Sequence, residues 1–94
     1  MKTAVKTQRK RLLFRSWHLG TRELDLVLGP FADTHLAAMS PDQLDRYESL
    51  LSSSHPEIFR WIKGEQPVPE TVGFDLAELI KNFTNLVLRP GTTR

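Results

Sequence analysis

The chain has 94 residues, 39% of them hydrophobic, with no cysteine and a formal net charge of +2. That length holds one domain with a small core, the missing thiols exclude disulfide staples and thiolate metal sites, and no apolar run approaches the ~20 residues of a membrane span. Charge is split along the chain: Lys2, Lys6, Arg9, Lys10, Arg11, Arg15 and Arg22 precede the first acid, Glu23, so an oppositely charged partner can be steered onto one end.

Residues 1–8 read as a basic, flexible N-terminus. The stretch lacks the apolar region of a secretory signal and is taken as native and not as the remnant of an organellar presequence. In "RKRLLFRSWH" (residues 9–18), Leu13 and Trp17 stand at i, i+4 with Phe14 beside them, which predicts a first amphipathic helix. Gly20 falls where a helix ends in a left-handed residue. Thr21 is placed to cap the next helix, with Glu23 and Asp25 complementing its N-terminal dipole.

Leu24, Val27, Leu28 and Phe31 follow helical spacing, and Pro30 predicts a kink or restart near Gly29. "SPDQLDRYESLL" carries a capping signal in Ser40, Pro41 and Gln43, followed by Leu44, Tyr47 and Leu51 on one face. "SSSHPEIFRWIKG" repeats it: Ser54 or His55 caps, Pro56 starts, Ile58, Phe59 and Ile62 pack, and Gly64 stops. "EQPVPE" is a rigid loop. A last helix over residues 74–88 buries Leu76, Leu79, Ile80, Phe83 and Val87. With no sustained period-2 strand, the pattern is all-α: a single helical domain over 9–88, of four to five short helices, with a tail at 89–94. Each helix is near or below the ~12–15 residues at which isolated helices are marginal, so packing must stabilise them.

The chemistry-bearing residues are sparse. His18, His35 and His55 lie on different elements, without the i+3 or i+4 partner of a metal helix, and read as surface or capping residues. The glycines are isolated helix stops or kinks and form no phosphate loop; Ser52–Ser54 lack a nucleophile elbow. Asp42, Asp45 and Glu48 read as one solvated acidic face, without the shared burial a carboxylate dyad needs. No catalytic residue, metal site or cofactor site is expected, and the chain is not expected to be an enzyme. The basic N-terminus raises nucleic acid, but Phe14 and Trp17 are assigned to the core, where bases cannot stack on them; neither nucleic-acid binding nor membrane insertion is expected. By elimination the junction of the first two helices stands out. Arg15, His18, Arg22, Glu23 and Asp25 gather around Gly20, and mixed charges on a turn that permits close backbone approach suit a protein–protein contact.

"RLLFRSWHLGTRELDLVLGPF" resembles the small succinate dehydrogenase assembly factors, the flavinators, whose signature is Arg-Gly-x-x-Glu followed by Leu-Asp and an apolar helix. "HPEIFRWI" resembles the family's second block, and the resemblance covers roughly residues 9–64. It implies a small five-helix bundle that binds the flavoprotein subunit of succinate dehydrogenase or fumarate reductase and promotes covalent attachment of FAD to a histidine of that subunit. The small protein itself would keep no cofactor, act as a monomer when free, and work in a bacterial cytoplasm, with the mitochondrial matrix as the less favoured compartment. Gly20 and Glu23 match the signature's glycine and glutamate, while Leu19 stands in the arginine position and cannot make an arginine's bidentate hydrogen bonds. Three accounts of that leucine are open: Arg15, His18 or Arg22 supplies the charge from next door, the client surface differs, or the chain is an altered variant. An exposed Leu19 would equally suit an apolar contact. The expected partner surface is therefore Arg15, His18, Leu19, Gly20, Arg22, Glu23 and Asp25. The main alternative is a regulatory binding module, antitoxin-like or a partner in another complex, without a flavinylation role.

Overall fold

Five α-helices and two one-turn 3-10 segments build the described residues, with no strand among them. The helices are α1 (Lys2–Trp17), α2 (Arg22–His35), α3 (Pro41–Leu51), α4 (His55–Ile62) and α5 (Phe74–Leu88); the 3-10 turns are Leu36–Ala38 and Glu70–Val72. The computed structural model describes residues 2–88, with side-chain environments for 4–86. The expected tail at 89–94 and the buried role of Val87 lie outside these.

α1 begins at Lys2 and not at residue 9. Val5 packs against the core, and from Gln8 onward polar side chains fasten the helix to α3 and the turn before it. Gln8 donates to Asp45 at 2.8 Å and Glu48 at 2.9 Å. Arg9 donates to the carbonyls of Leu36 and Met39 at 3.0 and 2.8 Å, and Arg11 pairs with Glu48 at 2.8 Å. Glu48 is thus no member of a solvated acidic face. Donation from Gln8 and then from Arg11 holds its carboxyl below the usual range.

The core face of α1 is also rotated from the expected one. Leu12 and Ser16 are fully buried, Leu13 and Trp17 only partly, and Phe14 is 64% exposed. Ser16 is a polar residue that the hydrophobic pattern could not place inside. It donates to the Leu12 carbonyl at 2.8 Å and shares a 2.6 Å hydrogen bond with the hydroxyl of Tyr47, which is itself buried. Both hydroxyls are satisfied, which removes the penalty of burying them. Burial pushes the Tyr47 phenol well up, and the bond to Ser16 offsets part of that.

α2 runs unbroken across Pro30. The carbonyl that Pro30 cannot satisfy belongs to Leu26, on the solvent-facing side of the helix, where 52% of Leu26 is exposed and water can take its place. Gly29 does not stop the helix; the indole of Trp17 lies where a Cβ would be. Leu24, Val27, Leu28 and Phe31 are buried as their spacing predicts.

α3 starts with the anticipated capping box: Ser40 Oγ accepts from Gln43 N at 3.1 Å, and Gln43 returns the contact to Ser40 N at 3.0 Å. α4 starts with Ser54, whose Oγ accepts from Glu57 N at 3.3 Å; Ser54, not His55, is its cap. α5 spans the predicted range with Leu76 and Ile80 buried and Leu79 and Phe83 packed against the core. Arg46 ties α3 to α5, donating to Asp75 and to the Val72 carbonyl, each at 2.7 Å. Its guanidinium, with help from Gln43, pulls the Asp75 carboxyl far below the ordinary range. Among the described residues no helix is long and apolar enough to cross a membrane.

Candidate functional site

The α1–α2 corner is built by backbone before side chains. α1 ends as His18 N reaches the Arg15 carbonyl at 3.0 Å, and the His18 ring turns back to the Phe14 carbonyl at 2.8 Å while stacking on the Phe14 ring. Gly20 follows with φ = 108°, a region that L side chains avoid, so a residue without Cβ lets the chain reverse. Thr21 is the N-cap of α2, yet its hydroxyl makes no cap bond. Asp25 supplies the contact instead: its Oδ1 accepts from Leu19 N at 2.7 Å, pinning the incoming chain to the first turn of α2.

The seven residues expected at the partner surface therefore divide. Leu19 is only 7% exposed and packs into the core. The proposed exposed apolar contact is not present there, because the backbone reversal turns that side chain inward. Asp25 is half-buried and holds the corner together. Arg15 is directed to α3, donating to the Leu51 carbonyl at 3.3 Å and lying 4.0 Å from Glu48. His18, Gly20, Arg22 and Glu23 are exposed. Among the described residues, neither Arg22 nor Glu23 has a hydrogen-bond or ion-pair partner through its side chain. Glu23 sits in the first turn of α2, where the helix dipole favours its negative charge.

A second stretch of chain reaches this corner. The His55 ring lies 3.8 Å from where a Cβ on Gly20 would be, so α4 begins directly against the turn. Thr21, Glu23 and Leu24 from one side and His55, Pro56 and Phe59 from the other line an open, mainly apolar cleft of about 330 Å³. The sequence reading assigned His55 to capping and Phe59 to the core, and missed their meeting with Gly20 and Glu23. The available signal is that "LGTRE" and "HPEIF" are the two stretches carrying the family resemblance; they lie far apart in sequence and folding brings them together. Among the described residues no group of three histidines, aspartates or glutamates is placed to hold a metal ion.

The family described as flavinator of succinate dehydrogenase matches residues 10–86. A succinate dehydrogenase assembly factor 2, mitochondrial, from Dictyostelium discoideum is 35% identical over 78 residues, 83% of this chain and 55% of the relative. The FAD assembly factor SdhE of Acetobacter pasteurianus is 36% identical over 63 residues, 67% of this chain and 58% of the relative. The Danio rerio assembly factor 2 is 35% identical over 83 residues, 86% of this chain and 52% of the relative. The chain thus spans about half the length of the curated relatives it matches.

Proposed function

The chain belongs to the family of flavinators of succinate dehydrogenase, and on that premise we propose that it is an assembly factor: it binds the flavoprotein subunit of succinate dehydrogenase or fumarate reductase and promotes covalent attachment of FAD to it. The observation that carries the reading is the exposed carboxylate of Glu23, without a side-chain partner among the described residues, beside a turn at Gly20 that presents bare backbone. A carboxylate in that position forms a charge-assisted hydrogen bond across an interface, and the glycine lets another backbone approach.

The factor supplies no catalytic side chain and keeps no cofactor. Acting as a monomer when free, it binds one conformation of the client, in which flavin and acceptor histidine meet in reactive orientation. Orientation of this kind is worth up to ~7–11 kcal/mol of barrier in well-ordered intramolecular reactions, and a partner that binds that conformation better raises its population by its differential affinity. The compartment is the bacterial cytoplasm, although the similar proteins include both a bacterial and mitochondrial factors.

The test mixes the protein with flavoprotein subunit and FAD and reads flavin fluorescence on the denatured subunit. A clear gain over FAD alone is expected, with most of it lost in Glu23→Ala. No gain, or a fully active Glu23→Ala, overturns the function or the role of the carboxylate respectively.

A further inference from the structure

The cleft beside Glu23 has a composition that specifies what enters it. Its lining is mainly apolar, from Leu24, Pro56 and Phe59, with Thr21, Glu23 and His55 as its polar residues. Its one carboxylate is Glu23, which among the described residues has no internal partner. An entirely apolar side chain would bury that carboxylate without a hydrogen bond, at a cost. An acidic one would be repelled.

An arginine satisfies both halves at once. Its three-carbon stem covers apolar surface while the head stays polar, and the planar guanidinium can take Glu23 bidentately. The Phe59 ring already shows this affinity for cations. Lys63 Nζ lies 4.8 Å from its centroid and is balanced by Glu65 at 3.1 Å, so its charge opposes a second cation less than a lone lysine would. Resting on the assembly-factor reading above, we infer that the cleft between the starts of α2 and α4 is a socket for an arginine side chain of the flavoprotein subunit, with Glu23 binding the guanidinium and Phe59 and Pro56 packing the stem. The docking surface therefore extends from the α1–α2 turn onto α4, and His55, Pro56 and Phe59 join Gly20 and Glu23 in it.

The experiment measures the affinity of the purified protein for the apo flavoprotein subunit by isothermal calorimetry, with thermal unfolding as the control for folding. Glu23→Gln and Phe59→Ala should each weaken the complex about 10-fold or more, within the range of a lost charge-assisted hydrogen bond. The double variant should be weaker than the worse single by much less than the product, because one side chain uses both contacts. Phe59→Leu, which retains the packing volume, guards against a folding defect and should recover part of the loss. Glu23→Leu discriminates the occupant: an arginine predicts a weaker complex and an apolar side chain a tighter one. If the unsubstituted protein binds and these variants bind equally well, or Glu23→Leu binds tighter, the socket is wrong while the assembly-factor reading stands. If the unsubstituted protein does not bind the subunit, both fall together.

Discussion

The seam of α1 with α3 and the corner between α1 and α2 carry similar residues and use them in opposite ways. Along the seam with α3, Gln8, Arg9, Arg11 and Arg15 all reach carboxylates or carbonyls of the same chain. At the corner that follows, Arg22 and Glu23 are exposed and their side chains reach nothing among the described residues. Charge in the sequence therefore does not locate a surface for a partner; unsatisfied charge does. The seven bases before Glu23 suggest a basic patch, but the structure engages three of the arginines internally. The difference also separates roles: seam residues should alter stability, corner residues should alter binding.

The largest stability effect should come from the buried centre of the seam. Tyr47→Ala removes an aromatic ring with no exposure, its bond to Ser16 and its contact with Phe31, 5.7 Å between centroids. A loss of about 3–5 kcal/mol is expected, as for other large-to-Ala core changes, read by urea unfolding. Less than about 1 kcal/mol would mean the seam is not the anchor described. Gly29→Ala should come next. A methyl there meets the Trp17 indole, and overpacking of this kind costs about 1–3 kcal/mol. The alternative, that alanine stabilises α2 by its better helix propensity, predicts a rise in melting temperature instead.

The direct contrast is between two glutamates. Glu48→Ala removes the acceptor shared by Gln8 and Arg11, and because these pairs are largely solvent-exposed the expected cost is only about 0.2–1 kcal/mol, with client affinity unchanged. Glu23→Ala should leave unfolding within about 0.5 kcal/mol of the parent, as surface substitutions do, while removing most of the flavinylation gain. A reversal, with Glu48→Ala impairing flavinylation and Glu23→Ala destabilising the fold, would erase the distinction between seam and corner.

Elements were more legible in the sequence than faces. Ser40, Pro41 and Gln43 announce the start of α3 because their chemistry is local: Ser40 and Gln43 each satisfy a backbone group within one turn, and Pro41 lacks the N–H that would be an orphan there. The range of α5 could be read from the helical spacing of Leu76, Leu79, Ile80 and Phe83. What failed depends on distant residues. The extension of α1 before residue 9 goes with the packing of Val5 on the core and the bonds of Gln8 to α3; Phe14 is outside and Ser16 inside because Tyr47, far along the chain, supplies the hydroxyl partner. Pro30 does not break α2 because its orphan carbonyl faces water, which no local pattern states. At the corner, Gly20 and Glu23 were legible from the resemblance, and the positive φ of Gly20 follows from its place after a helix. The inward turn of Leu19, the cap-like role of Asp25 and the approach of His55 and Phe59 all follow from tertiary packing.

The smallest effect expected is a slope in stability with pH. Glu48 and Asp75 both have carboxyls held below their ordinary values of 4.5 and 3.8, the first by Gln8 and Arg11, the second by Arg46 and Gln43. A carboxyl whose folded-state value is depressed stabilises the fold at pH values above its unfolded value and loses that contribution as pH falls through the folded one. Stability should thus be flat near neutrality as far as these groups are concerned, and should begin to fall as pH drops below about 4.5, where the unfolded chain takes up protons that the folded chain resists. Both groups are partly exposed, so salt screening keeps the slope shallow. Glu48→Gln should flatten the upper part of that fall and Asp75→Asn the lower part, in urea unfolding followed at a series of pH values. An unchanged slope in both variants would show that these two carboxyls are not held by the partners that face them.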